Sequence, residues 1–354
     1  MFVFSPCQVG AESVFKREVA QKFPAMRGAF SRPGFVSFKT DMPLPEDFLL
    51  RSVFARTAAV SLGKMEINNH LATEVWNIAA EHRLFVNRVH IFQRDPSDEL
   101  GPPIPPELCE LHQQIVEQAP HAKLLGTGAN NIFHPAQSGE TVLDVVKVDP
   151  NLFMVGTHTC TSASPIHAKY PGGMLPITLP DGAISRAYLK FSEGLLWSGI
   201  VLGEEDKCLD IGAAPGGCSQ FLLQQGVKVF GVDPGAIHPA ILGHPRFTHV
   251  RNRIKETKRS LFRDVQWIVA DMNVAPNYTL DALEEAIAKA DGSVRGLLFT
   301  LKLIRWELAD KLPMLLDRIR TWNFRDVRMK QLIFNRQEVM VAALEPKSWS
   351  VVRR

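Results

Sequence analysis

Cys208-Leu209-Asp210-Ile211-Gly212-Ala213-Ala214-Pro215-Gly216-Gly217-Cys218-Ser219-Gln220 is the stretch that decides the fold of the C-terminal half of this chain. It opens on the short, mostly apolar run Cys208-Leu209-Asp210-Ile211, and Phe221-Leu222-Leu223 leads out, so it reads as strand, glycine turn, helix. Glycines in such a turn let the backbone approach a ligand closely, and the following helix aims its free N–H groups at it. About 20 residues further on, Asp233 closes the run Val227-Lys228-Val229-Phe230-Gly231-Val232, the spacing at which a Rossmann-like unit holds a ribose diol. The pattern departs from G-x-G-x-x-G, because Ala214 and Pro215 stand where a dinucleotide fingerprint has its second glycine and spacer. A nicotinamide or flavin site is therefore disfavoured.

Working outward, strands are predicted near 207–211, 227–232, 246–250, 265–270, 294–301, 325–332 and 338–344, with helices between. That alternation argues an α/β fold with a mostly parallel, doubly wound sheet. The last two strands, joined by Asn335-Arg336-Gln337, form an antiparallel edge hairpin. Upstream, Thr161 to Pro180 is rich in Pro, Gly and Ser and reads as a linker (161–180) between a domain at 181–354 and an N-terminal α+β region at 1–160. Within that region the patterns predict a helix from Glu12 to Phe23 and strands at Gly34–Phe38 and Arg83–Phe92. A helix from Pro106 to Ala119 and strands at Val142–Val148 and Leu152–Thr157 follow. Gly101-Pro102-Pro103-Ile104-Pro105-Pro106 reads as an exposed loop.

A length of 354 residues suits two domains, and 45% hydrophobic with 22% charged residues is ordinary for a globular protein. No apolar run reaches the roughly 18 residues of a membrane span, and the start Met1-Phe2-Val3-Phe4-Ser5 has no basic signal-peptide region, so neither membrane nor export is expected. The five cysteines are scattered without a C-x-x-C pair, which fits reduced thiols in a cytoplasm and gives no metal site. The net charge of +3 is uneven: residues 1–165 hold 14 Lys+Arg against 17 Asp+Glu, and residues 166–354 hold 26 against 20. Basic residues gather at Arg251, Arg253, Lys255, Lys258, Arg259 and Arg263, and again at Arg318, Arg320, Arg325, Arg328 and Lys330. Each alone reads as a solvated surface residue; the two groups together suit a polyanionic partner.

The glycine loop, with Asp210, Gly212, Ala213, Ala214, Pro215, Gly216 and Gly217, resembles the D-x-G-A-x-P-G-G loop of the FtsJ-type S-adenosylmethionine (SAM)-dependent ribose 2′-O-methyltransferases. Ser185-Arg186-Ala187-Tyr188-Leu189-Lys190-Phe191 resembles that family's S-R-A-x-x-K-L helix, and Val269-Ala270-Asp271-Met272 its S-D-M segment. Thr300-Leu301-Lys302-Leu303 and Arg336-Gln337-Glu338-Val339 match its later lysine and glutamate segments. The resemblance implies SAM as cofactor, a Rossmann-like methyltransferase sheet ending in an antiparallel hairpin, and a catalytic tetrad Lys190, Asp271, Lys302 and Glu338. It implies cofactor contacts from Asp233 and Asp271 as well as the loop. Where the family commonly has an acid for the adenine amino group, this chain has Asn252. Ser5-Pro6-Cys7-Gln8-Val9-Gly10-Ala11-Glu12, Val53-Phe54-Ala55-Arg56, Tyr170–Leu195 and Asn335–Val339 are similar to the M-type 23S rRNA cytidine 2′-O-methyltransferases, which implies an N-terminal THUMP-like domain and large-subunit rRNA as substrate.

The residues make chemical sense of that implication. Asp271 and Lys302 fall at carboxyl ends of neighbouring predicted strands, where ligands of open α/β sheets bind. A ribose 2′-hydroxyl is a weak nucleophile, so its proton must leave as it attacks a sulfonium methyl, and a lysine amine is a suitable acceptor. Burial lowers the pKa of Lys302 while Asp271 and Glu338 raise it. Lys302 is taken as the base, Lys190 as the second amine, and the two acids as their orienters. Two alternatives stand beside this reading: a methyltransferase for another acceptor, RNA base or protein, and a non-catalytic RNA-binding protein with a decayed fold. Methylation at a base C5 would want a nucleophilic cysteine, and Cys208 and Cys218 lie in the cofactor strand and helix, positions suited to packing.

Overall fold

The computed structural model describes residues 1–45, 47–94, 104–120, 131–290 and 292–346. The chain divides into two units, Met1–Pro176 and Ile177–Arg354. Of the Gly101–Pro106 stretch, Gly101, Pro102 and Pro103 lie outside the described residues; Ile104 is buried and Pro106 begins a helix.

The first unit runs β1 (Phe2–Pro6), α1 (Glu12–Lys22), β2 (Met26–Arg32), β3 (Phe35–Thr40), β4 (Ala59–Glu66), α2 (Leu71–Glu81), β5 (Arg88–Gln93), α3 (Pro106–Glu117), β6 (Thr141–Asp149) and β7 (Leu152–Thr159). These strands form one sheet in the order β2-β3-β1-β4-β7-β6-β5, antiparallel except for the β5–β6 pair. β6 and β7 are a hairpin turning at Pro150-Asn151, with Asp149 opposite Leu152, and their valines are fully buried. The strand predicted from Arg83 begins only at Arg88: Arg83 takes a left-handed φ of 54°, and Phe85 is exposed.

A buried polar cluster sits in this core. His158 Nδ1 lies 2.6 Å from Asp144 Oδ2, and its Nε2 lies 2.8 Å from the carbonyl oxygen of Ala168. Both partners only accept hydrogen bonds, so both ring nitrogens donate and the ring is an imidazolium. Burial alone would lower its pKa, but the Asp144 carboxylate outweighs that and holds it well above the ordinary histidine value. His90, 3.7 Å from the other Asp144 oxygen, is pushed down by burial.

The stretch Thr161–Pro180 is for the most part not a connector. Ile166–Lys169 and Pro171–Gly173 form 3-10 turns, and His167, Ala168, Met174 and Leu175 are buried in the first unit. The prolines and glycines that suggested a linker make tight turns instead; Ala136 N–H donates to Lys169 O at 2.9 Å.

The second unit contains α4 (Ala187–Ser198), β8 (Lys207–Ile211), α5 (Gly217–Gln224), β9 (Lys228–Val232), α6 (Pro239–Leu242), β10 (Phe247–Val250), β11 (Trp267–Ala270), α7 (Pro276–Lys289), β12 (Gly296–Lys302), α8 (Leu312–Arg320), β13 (Phe324–Lys330) and β14 (Glu338–Pro346). Its sheet has the order β10-β9-β8-β11-β12-β14-β13, parallel from β10 to β12. β14 is antiparallel to both β12 and β13. It is the inner strand of that pair, which explains why Val339 to Ala343 is an unbroken apolar run at 0% exposure rather than an alternation. The result is a mixed-sheet α/β fold.

Candidate active site

The glycine turn sits where the sequence put it, between the carboxyl end of β8 and the start of α5. Gly212 has φ 80° and Gly216 φ 124°, conformations costly for any residue with a Cβ. A Cβ at Gly212 would meet Met272 Cγ at 3.0 Å, and one at Gly217 would collide with Ser185 Oγ. The loop is thereby packed against the segment that bears Asp271 on one side and the residues leading into α4 on the other. The Ala214–Pro215 peptide bond is cis. Ala213, Gly216 and Gly217 are buried and Pro215 is exposed.

Asp210 is fully buried in β8, and its Oδ2 accepts from Ser219 Oγ at 2.6 Å. Burial pushes its carboxyl up to about 7. The side chain ties strand to helix across the glycine turn instead of facing solvent. Asp233 ends the β9 segment half-buried, its Oδ2 accepting from Ala214 N–H at 3.1 Å and its Oδ1 from Gly235 N–H at 2.6 Å. Each carboxylate oxygen keeps a lone pair, so the group is fixed in direction yet able to accept from a diol. Asn252 is exposed, two residues beyond β10.

Lys190, Asp271, Lys302 and Glu338 come together as a closed ring of alternating charge. Lys190 Nζ lies 3.0 Å from Asp271 Oδ2 and 2.8 Å from Glu338 Oε1. Lys302 Nζ donates to Asp271 Oδ1 at 2.7 Å and also to Glu338 Oε2. The sheet explains the closure. Lys302 and Glu338 are register partners across β12 and β14, and Asp271 follows Ala270, the partner of Phe299 on β12. Lys190 enters from α4. Both lysine side chains are 16% exposed, so the ring is recessed but open. Burial pulls the Lys302 ammonium toward neutrality, but the fields and hydrogen bonds of Asp271 and Glu338 outweigh it and hold its pKa above the ordinary lysine value. Asp271, though itself buried, is held below the usual carboxylate range by Lys190 and Lys302.

Three further residues build the ring and were not read from the sequence. Thr300 Oγ1 donates to Asp271 Oδ1 at 2.6 Å, and Asn335 Nδ2 to Glu338 Oε1 at 3.2 Å. Glu193, at 0% exposure on α4, accepts from the backbone N–H groups of Ile333 and Phe334, each at 3.0 Å. The helix that supplies Lys190 therefore also grips the turn leading into Glu338. Glu193 is three places beyond Lys190, on the same helix face, and that spacing was the available signal. Cys208 and Cys218 are buried, and burial drives both thiols far above their ordinary pKa, so neither is a nucleophile. Among the described residues, no group of three or more His, Cys, Asp or Glu could hold a metal ion, and no helix is long and apolar enough to cross a membrane.

The FtsJ-like methyltransferase family matches this chain over residues 183–313. The ribosomal RNA large subunit methyltransferase M of Laribacter hongkongensis is 31% identical over 198 residues, covering 53% of this chain and 55% of its own length. Its namesake from Hahella chejuensis is 31% identical over 221 residues, covering 57% of this chain and 56% of its own. The chain thus spans about half the length of the curated relatives it matches. Among solved structures, TrmN from Thermus thermophilus aligns over 97% of this chain at 15% identity and a TM-score of 0.36. Residues 183–313, which hold the glycine loop, Lys190, Asp271 and Lys302, are thus the part of the chain that is similar to the FtsJ-like methyltransferase family.

Proposed function

We propose that this chain is a cytoplasmic, SAM-dependent RNA methyltransferase that modifies a ribose 2′-hydroxyl, at a cytidine of 23S rRNA, with Lys302 as the base. The observation that carries the reading is the closed ring of Lys190, Asp271, Lys302 and Glu338 at the same end of the sheet as the glycine loop. The loop residues fit SAM: positive-φ glycines leave room for close backbone approach, and Asp233 is held ready for a ribose diol. Gly212 to Gly217 would hold the methionine end, with Asp271 beside it, and Asn252 would take the adenine amino group. Bound SAM supplies an electrophilic methyl group on a sulfonium. Lys302 accepts the proton of the attacking hydroxyl, Asp271 and Glu338 orient the two amines, and the Lys190 ammonium opposes protonation of Lys302. The rest of the contribution is alignment of the reacting atoms. The first unit, with its seven-stranded sheet, is assigned as the THUMP-like module that adds RNA shape contacts, since phosphate contacts alone carry no sequence information.

Incubation with labelled SAM and unmodified 23S rRNA, followed by nuclease digestion, tests the reading. The expected product is one nuclease-resistant 2′-O-methyl dinucleotide at a cytidine; a methylated base would overturn the reaction class. For the cofactor, Asp233→Ala is expected to weaken SAM binding by about 1–3 kcal/mol, the range for losing a charge-assisted hydrogen-bond pair. Calorimetric titration giving equal affinities for the two proteins would remove Asp233 from the ribose site.

A further inference from the structure

Many cations of the second unit are matched by acids within it. Arg318 reaches Asp281 at 2.6 Å and Glu284 at 2.7 Å, Arg320 reaches Asp317 at 2.8 Å, and Arg328 reaches Asp326 at 3.0 Å. Arg325 and Lys330 are engaged as well. The second basic group seen in the sequence is thus largely occupied by internal contacts. The first is different. Arg251, Arg253, Lys255, Lys258, Arg259 and Arg263 are all exposed, and among the described residues none of them is in an ion pair. The one acid inside this segment, Glu256, faces the backbone N–H of Arg253 at 3.4 Å, and Asp264 just beyond it is taken by Lys207 at 3.3 Å.

The segment is also anchored from beneath. Lys289 Nζ donates to the carbonyl oxygens of Ile254, Lys255 and Thr257 at 2.8, 3.0 and 3.1 Å, and lies 5.6 Å from the Phe262 ring centroid. Ile254, Thr257 and Phe262 are buried. Two 3-10 turns, Ile254–Glu256 and Arg259–Phe262, keep this backbone short and fixed while the cationic side chains stay in solvent. Its start adjoins Asp233, the residue proposed for the ribose diol: Arg251 Nε donates to Pro234 O at 3.3 Å, one residue beyond it. An uncompensated row of cations on a fixed backbone, beginning beside a methyl-transfer site, suits a polyanion whose charges repeat along a chain.

We propose that residues 251–263 form a phosphate-backbone contact for the substrate RNA, a reading that rests on RNA being the substrate. The test uses the full chain carrying Lys258→Glu, Arg259→Glu and Arg263→Glu together, with the corresponding triple alanine variant as a milder second case. Affinity for an unmodified 23S rRNA transcript is measured across a salt series, and SAM affinity serves as the check on folding. With SAM binding unchanged, the triple glutamate variant is expected to bind RNA more weakly by tenfold or more, on the order set by phosphate neutralisation. The triple alanine variant should show a log–log salt slope shallower by about 2, since each phosphate contact contributes roughly 0.7–0.9. Unchanged RNA affinity and slope in both variants would overturn the assignment of this segment alone. Absence of any salt-dependent RNA binding by the unsubstituted chain would instead overturn the RNA reading and the segment with it.

Discussion

Lys302→Ala is expected to lower the single-turnover rate of methyl transfer by about 10²–10⁴-fold, the range for losing a positioned general base. SAM affinity should stay near that of the unsubstituted chain, because the Lys302 amine touches Asp271 and Glu338 rather than the glycine loop. Lys302→Arg should be nearly as inactive, since a guanidinium does not give up its proton in this pH range. The ring also sets the pH dependence. Asp271 and Glu338 hold the Lys302 pKa above its ordinary value, so the amine is charged at rest and only its deprotonated form can accept the hydroxyl proton. The unsubstituted rate should therefore climb through the neutral and mildly alkaline range, and the residual rate of Lys302→Ala should lose that climb. A Lys302→Ala chain that keeps most of its rate, or an unsubstituted rate flat with pH under single turnover, would take the base role away from Lys302.

The largest stability effect is expected in the first unit. His158→Ala strips Asp144 of its charged partner at a site where both side chains are under a tenth exposed, and breaking such a pair costs about 3–5 kcal/mol. Replacing both residues, as Asp144→Leu with His158→Leu, should cost much less, because no uncompensated charge is left behind. The folded pKa of His158 lies above its unfolded value, so its contribution is complete below about pH 6.5 and declines as pH rises toward the folded pKa. Amide exchange of β6 and β7, followed from pH 6 to pH 9, measures both effects. Equal protection in His158→Ala and the unsubstituted chain would show that the cluster is not holding the unit.

The second unit was legible in the sequence for a physical reason. Strands such as Lys207–Ile211 and Gly296–Lys302 are buried by neighbours on both sides, so they appear as apolar runs bounded by glycines and acids. The first unit was harder. β2 (Met26–Arg32) is mostly exposed and owes its conformation to pairing with β3, and β4 carries a register shift between Ser61 and Gly63 that breaks any alternation. Neither leaves a mark in local composition. At the candidate site, residue types with obvious chemistry were readable, whereas Thr300, Asn335 and Glu193 act only through contacts that exist once the sheet has formed. The proposed linker failed for the opposite reason, because Pro and Gly mark tight buried turns as well as solvated chain.

The inner position of β14 bears on the order in which this unit can assemble. Glu338 opens a strand that is synthesised after every other strand of its sheet, yet it lies between β12 and β13 and not at an edge. Lys190 pairs with Asp271 across 81 residues of sequence, and Lys302 with Glu338 across 36. Before β14 docks, β12 has an open edge, the turn held by Glu193 is unanchored, and the two lysines share a single carboxylate. A nascent chain therefore carries a nearly complete glycine loop well before it carries the closed ring of Lys190, Asp271, Lys302 and Glu338. Late pairing of this kind also leaves an exposed strand edge during synthesis, the state in which chains most readily pair with the wrong partner.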